Sequence, residues 1–354
     1  MHIRSGRLIP YSLPLRQQWQ SSMGGFCERK GWLIELSCNN GAKGYGDCAP
    51  LQAAGTEPPE IAKQWLKEQL SATEGKSPSE LLRRCTAGTS QTPAARFALE
   101  TALLDLFAQS EQVTLRHWIN AKAPDHVLVN AVIGTLNDSV EKRAFRKIEQ
   151  GFTTLKLKVG VKSPQDELAQ LHGLAQQLTE KIRLRLDANQ AWSSKDAEYF
   201  IDGIRGLPID SLEEPLREAD LKLLAKLQNR ADCSLALDES LAQLHIDRLL
   251  AHPPVKRFIL KPMVIGSLLS TKKLAESAAN ASMECVVTTT VDSAVGVLAT
   301  AQLAAAIPSS RHLAQGLATS EWLEEDIAEP LAIINGQMIL PDTHGLGIGP
   351  ITTA

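Results

Sequence analysis

Hydrophobic positions along this chain change rhythm part of the way through. In TLKLKVG, residues 154–160, Leu155, Leu157 and Val159 alternate with Lys156 and Lys158. A period of two is that of a strand with one apolar face, so both ammonium groups share the other face. Short strand-like runs of this kind recur at 126–134, 154–160, 182–189, 209–215, 233–240, 257–262, 284–290 and 312–318. Their starts lie 28, 28, 27, 24, 24, 27 and 28 residues apart. Amphipathic segments such as DELAQLHGLAQQL and SLLSTKKLAESAA separate several of them. Eight strand–helix units of this length predict an α/β fold closed as a (β/α)8-type barrel; a doubly wound sheet is the structural alternative.

The first 120 or so residues have no such repeat. GWLIELSCNNGAKGYGDCAP predicts two strands joined at Asn-Asn-Gly, and PEIAKQWLKEQL and PAARFALETALLDLFAQ carry helical periodicity. Together they predict an α+β domain over 1–122, followed by the barrel over 123–321. The tail, LAIINGQMILPDTHGLGIGP, predicts a hairpin turning on Asn335-Gly336, with 322–354 returning to the first domain. Its GLGIG precedes no helix and is assigned no phosphate.

Composition narrows the function classes. The chain has 354 residues, 44% hydrophobic and 22% charged, with formal net charge −3. That balance offers no electrostatic footprint for nucleic acid or an acidic membrane. No run of about 18 apolar residues predicts a membrane span, and MHIRSGRLIPYSLP lacks the apolar core of a signal peptide. Six cysteines, at 27, 38, 48, 85, 233 and 285, form no CxxC pair, which fits buried free thiols in the cytoplasm.

The strand phase then assigns the charged groups. In a barrel, one face of each strand meets the helices and the other faces inward, with catalytic groups at the C-terminal strand ends. Leu184 and Leu186 facing outward turn Arg185 and Asp187 inward. The same alternation turns Glu213, Asp238 and Lys261 inward at their strand ends, beside Lys156 and Lys158. A single Lys-x-Lys is commonly a solvated edge strand; five successive strands in phase call for another account. Converging carboxylates repel one another, and a hard cation relieves that. All-oxygen donors select Mg²⁺ first and Mn²⁺ second. Asn189 lies just beyond Asp187 as a supporting group. A small carboxylate substrate held there places its α-proton within reach of a lysine base, and Lys156 beside Lys158 is expected to lower one of the two ammonium pKa values. Arg185 either orients the site or forms an ion pair within the barrel.

KLK, LRLDANQAW, LEEP, LDES and LKP, in this order and spacing, resemble the enolase superfamily, muconate-lactonizing subgroup. The resemblance covers most of the chain. It implies a (β/α)7β TIM-like barrel under an α+β capping domain, formed by the N-terminal part and the C-terminal tail. LKPMVIGSL and its companions look most like the o-succinylbenzoate synthase family, lyases of menaquinone biosynthesis. That resemblance implies Lys158 as base, Lys156 as its support and Lys261 across the substrate, with Asp187, Glu213 and Asp238 as metal ligands. It also implies substrate contacts at Thr288 and Thr289, at the backbone of Gly316 and Leu317, and at Met23 in a lid loop, QSSMGG. Asp292 stands where some relatives carry glutamate. HLAQGLATS lacks the aspartate pair with which dipeptide epimerases hold an ammonium. A racemase of N-acylamino acids, a muconate cycloisomerase, a Schiff-base barrel enzyme and a binding protein on an old barrel are the competing functions. Monomer and homo-oligomer both remain open.

Overall fold

The computed structural model describes residues 1–21, 24–86, 91–309 and 311–352. Met23, expected to touch substrate, lies outside the described residues.

The chain opens with an antiparallel sheet of β1 (Ile3–Ser21), β2 (Gly24–Cys38) and β3 (Lys43–Cys48), in that order. Pro10 and Pro14 sit within β1 because it is an edge strand, where missing N–H groups break no ladder. The Asn-Asn-Gly turn forms as expected, with Gly41 at φ 86° and Cys38 N donating to Ala42 O at 2.8 Å. Four helices follow: α1 (Pro59–Ser71), α2 (Pro78–Thr86), α3 (Pro93–Ser110) and α4 (Leu115–Ile119). Helix α3 is apolar nearly all round because it is buried nearly all round. Strand β3 lies directly on it: a Cβ at Gly44 or Gly46 would strike the backbone carbonyls of Ala102 or Ala98.

The barrel differs from the sequence expectation at both ends. The first run splits in two. β4 (His126–Leu128) leaves the barrel, and only β5 (Ala131–Thr135) belongs to it. Six parallel strands continue the ring: β6 (Thr154–Lys158), β7 (Arg183–Asp187), β8 (Ile209–Glu213), β9 (Ser234–Leu237), β10 (Arg257–Leu260) and β11 (Glu284–Val287). The helices packed between and after them are α5 (Val140–Glu149), α6 (Pro164–Gln176), α7 (Ser194–Gly203), α8 (Leu221–Arg230), α9 (Ile246–Ala251), α10 (Pro262–Ile265), α11 (Leu268–Asn280) and α12 (Ala294–Ala306).

The eighth run does not form a full strand. Gln315 and Gly316 close the ring with single bridges, one to Val129 and one to Thr288. Gln315 N donates to Leu128 O at 2.7 Å and Gly316 N to Val287 O at 2.8 Å. In the ring so closed, β6 and β10 stand opposite each other, with β7, β8 and β9 between them on one side and β5, Gln315–Gly316 and β11 on the other.

Strand phase holds in β6, β7, β9 and β10, and in β8 beyond its register shift. Leu155, Leu157, Leu184, Leu186, Leu212, Leu235, Leu237, Phe258 and Leu260 are buried in the main core against the helices. Ala236, Ile259, Val286 and Leu313 form a separate small cluster inside the barrel. The tail turns on Asn335 and Gly336, both at positive φ, between β12 (Ile333–Ile334) and β13 (Gln337–Ile339). β13 pairs with β4, while Leu346 N donates to Asp105 of α3 and Glu324 N to Pro14 O of β1. Cys27 is exposed; the other five cysteines are buried, and all six are free thiols. Among the described residues, no helix is long and apolar enough to cross a membrane.

Candidate active site

Parallel pairing sets the acidic rim. Lys158 pairs in register with Asp187, and Asp187 with Glu213, so adjacent strands end at one level. Asp238 follows the last residue of β9, and Lys261 that of β10. The turns beyond the strands bend sharply: Asn189, Gln190 and Glu214 all take positive φ, which non-glycine residues avoid unless held. Asn189 N donates to Asp187 Oδ1 at 3.1 Å.

Above the rim lies a cavity of about 320 Å³. Lys156, Lys158, Lys261, Asp187, Glu213 and Asp238 all line it, as do Asn189, Arg185, Thr288, Thr289 and Gly316. The Leu317 side chain points away from the cavity, which leaves only its backbone to meet a substrate. It is fully buried in the core among the helix-facing residues, while Gly316, Ala318 and Thr319 of the same segment line the cavity.

An ammonium group stands where the acids converge. Lys156 Nζ donates to Glu213 Oε2 and lies 3.0 Å from Asp187 Oδ2. Burial disfavours its charge, but Asp187, Glu213 and Asp238 together outweigh burial and raise its pKa above the usual lysine value. Lys156 is therefore not the lysine whose pKa its neighbour lowers: the carboxylates facing it outweigh the neighbouring ammonium. Lys261 Nζ lies 2.7 Å from Asp238, and again burial opposes its charge while Asp238 and Glu239 raise its pKa. Lys158 Nζ sits 5.8 Å from the ring centre of Trp19, within cation–π range. Trp19 packs edge-on against Trp322 at 4.8 Å between ring centres.

Arg185 resolves to the ion-pair reading. Its Nε and Nη2 donate to Asp210 at 3.1 and 2.8 Å, and its Nη1 donates to Asn130 Oδ1 and Ala314 O. Arg257 binds the same Asp210 and also Glu284. Burial opposes ionisation of Asp210, yet Arg185 and Arg257 bring its pKa down to about 2.

Two acids in the quoted motifs carry roles that alternation did not reveal. Glu214, the second acid of LEEP, accepts from Asp238 N at 2.7 Å and from Ser240 N at 2.9 Å, so it shapes the turn that presents Asp238. Glu239, next to Asp238, lines the cavity as well, because a 3-10 turn begins there and the period-two rule ends with the strand. Asn189 Nδ2 donates to its Oε1 at 3.0 Å, while its Oε2 is buried without a partner. Burial, with Asp238 and Asp187 nearby, pushes the Glu239 carboxyl up to about 7.

Among the described residues, no three acidic, histidine or cysteine side chains stand as a ready-made metal cage; Lys156 and Lys261 hold the acids instead. The surroundings nonetheless fit a hard cation. The donors are all oxygen, the carboxylates outnumber the ammonium groups, and one buried carboxylate oxygen lacks any partner.

The sequence matches the enolase C-terminal domain-like family over residues 139–353, and the chain belongs to that family. Within it, the chain is an enzyme of the enolase superfamily, muconate-lactonizing subgroup. It is 24% identical over 349 residues to an L-amino acid-D/L-Glu epimerase of Francisella philomiragia, spanning 95% of this chain and 96% of that protein. It is 28% identical over 252 residues to an o-succinylbenzoate synthase of Desulfotalea psychrophila, spanning 69% and 67%. Its fold matches the dipeptide epimerase of Methylococcus capsulatus, solved with Mg and the dipeptide L-Arg-D-Lys, at TM-score 0.87 and 24% identity over 98% of this chain and 99% of that one.

Proposed function

We propose that this enzyme is an o-succinylbenzoate synthase, dehydrating 2-succinyl-6-hydroxy-2,4-cyclohexadiene-1-carboxylate. The observation that carries the reading is that Lys158 and Lys261 reach one cavity from opposite strands, with the acids between them. Residues 1–122 and 322–354 would cap the barrel formed by 123–321. Asp187, Glu213 and Asp238 would hold Mg²⁺, with Mn²⁺ as second choice. Bound there, the ion would act as a Lewis acid that makes the proton α to the substrate carboxylate removable.

The chain's own residues do the rest. Lys158 Nζ takes the α-proton, breaking the C–H bond, and then returns a proton to the departing hydroxyl on the same face. The C–O bond breaks, water leaves, and the ring becomes aromatic. Lys261, already paired with Asp238, faces the opposite side of the substrate and stabilises the charge that builds up on it. Lys156 stays an ammonium between Asp187 and Glu213 and favours the ionised form of both; it holds Asp187 below its ordinary value, while burial still raises Glu213. Trp19 covers Lys158 and limits water around it.

The segment closing the ring supports a substrate without an ammonium group. It offers Gly316, Ala318 and Thr319 to the cavity, none of them anionic. A dipeptide would leave its ammonium without a partner there. A second reading, racemisation of N-acylamino acids, draws on the same opposed lysines, since one proton transfer on each face needs both. Mixing the purified protein with the cyclohexadiene carboxylate and Mg²⁺, and following aromatisation in the ultraviolet, tests the first reading. Turnover is expected, with a loss of about 10⁴-fold in Lys158→Ala. No turnover by wild type, alongside α-proton exchange of N-succinyl amino acids in D₂O, would favour the racemase.

A further inference from the structure

Arg29, on β2, has no part in that chemistry, yet its guanidinium is buried and engaged on every side. Nε donates to Val291 O at 3.0 Å, Nη1 to Pro50 O at 3.2 Å and Nη2 to Ala49 O at 2.6 Å. Its Cζ stands 5.5 Å from the ring centre of Phe26. These contacts fall on three separate segments, and each segment walls the cavity. Phe26 comes from the β1–β2 hairpin, Leu51, Ala53 and Ala54 lie just beyond Pro50, and Thr288 to Val291 follow β11. Asp47 and Asp292 are close enough to feel the guanidinium charge, but its donors go to backbone carbonyls. A planar fork with fixed donor directions suits that task, whereas a lysine ammonium would not span three carbonyls.

Val291 adds an independent observation. Its φ is 62°, in the left-handed region that a β-branched residue avoids, and its side chain is buried. Such backbone persists only where its surroundings over-determine it, and it concentrates at ligand sites. The carbonyl of this strained residue is the one Arg29 Nε holds.

We propose that Arg29 is a positioning residue: it locks the 49–54 loop and the 288–291 loop against the β1–β2 hairpin, so that the apolar wall of the cavity is formed before substrate arrives. The inference rests on this cavity being the substrate site, as proposed above. Arg29 touches no reacting atom. None of the three carbonyls it holds belongs to a rim lysine or carboxylate, so loosening these segments weakens substrate binding more than proton transfer.

Hydrogen exchange on the full chain, compared among wild type, Arg29→Met and Arg29→Lys, reads the lock without needing activity. In Arg29→Met the amides of 51–54 and 290–293 are expected to exchange about tenfold faster or more, while β7 and β8 keep their wild-type protection. KM is expected to rise about tenfold with kcat within about threefold, the scale of one lost charge-assisted hydrogen bond. Arg29→Lys keeps the charge and recovers part of both effects. Unchanged exchange in the two loops, equally faster exchange everywhere, or a loss confined to kcat would overturn the proposal. Should Arg29→Met fail to fold, Arg29→Lys supplies the same two readouts. A wild type without turnover would sink the proposed function, and the exchange pattern would still decide the role of Arg29.

Discussion

Two charged layers sit inside one barrel, and they are built on opposite terms. The layer nearer the N-terminal strand ends sets Arg185 and Arg257 against Asp210 and Glu284, two charges against two. Both guanidinium groups have all their nitrogens hydrogen-bonded. The layer at the C-terminal ends sets Lys156, Lys158 and Lys261 against Asp187, Glu213, Asp238 and Glu239, and one buried carboxylate oxygen has no partner. A layer whose charges balance and whose guanidinium nitrogens are all bonded has no charge left over for a ligand. An over-acidic, unsaturated one is stable only marginally until a cation or substrate joins it. The difference separates a layer of internal ion pairs from the layer proposed to bind metal and substrate, although both are made of the same residue types.

The largest expected break in this comparison is Glu213→Gln in the upper layer. It removes one charge from the set proposed to hold magnesium. Calorimetric titration should show Mg²⁺ affinity falling at least about 100-fold, the scale expected when ligand positioning is lost at a metal site. Chelation should abolish turnover in wild type and lower its melting temperature, because a ligand that binds only the folded state stabilises it. A melting temperature indifferent to Mg²⁺ would mean that the upper layer holds no metal.

The corresponding change in the lower layer is Asp210→Asn. It leaves two buried guanidinium groups facing each other with Glu284 alone, and should destabilise folding by about 3–5 kcal/mol. Urea titration measures this. The folded fraction should keep its Mg²⁺ affinity, since Asp210 does not line the cavity. Equal damage to Mg²⁺ binding would merge the two layers into one network.

The contrast between the layers also marks where the sequence stops being readable. Alternation placed Lys156, Lys158, Asp187 and Glu213 inward because each sits within a regular strand, where side-chain direction follows from parity. It left Arg185 between two readings, since parity says which face a residue takes and not which partner it meets; Asp210 is the extra residue of β8 where the register with β7 shifts between Leu184 and Arg185. Glu239 escaped because the strand ends at Leu237 and a 3-10 turn redirects the next residues. The eighth run closes the barrel through two bridges instead of forming a strand, so the phase of its side chains had to be set by Gly316. The long β1 gave little signal, since its prolines read as loop until the edge position is known. Arg29 gives no sequence signal at all, because its partners are carbonyls 20, 21 and 262 residues away.

The smallest effect, and the one that sharpens the comparison most, is the pH dependence of folding. Asp210 in the folded chain titrates at about 2, below its ordinary 3.8. A depressed folded pKa contributes stability that is fully present above the unfolded value and is lost as pH falls through the folded one. About 2 kcal/mol should therefore disappear between pH ~4 and pH ~2, and Asp210→Asn should flatten that limb. In the upper layer Asp187, beside Lys156, is depressed like Asp210, but Glu239 runs the other way. Glu239 is raised to about 7, so its ionisation in the folded state is unfavourable. Without metal, stability should rise as pH falls from ~7 towards ~4.5, and Glu239→Gln should remove part of that rise. Asp47, pushed up to about 7 by burial and by Asp292, adds to the same limb, so Glu239→Gln alone should not abolish it. Urea midpoints measured across pH with a chelator present test both limbs. If the acid limb survives Asp210→Asn unchanged, the lower layer is not the acid-sensitive element. If the neutral limb persists unaltered in Glu239→Gln, the surplus acid of the upper layer is not borne by Glu239.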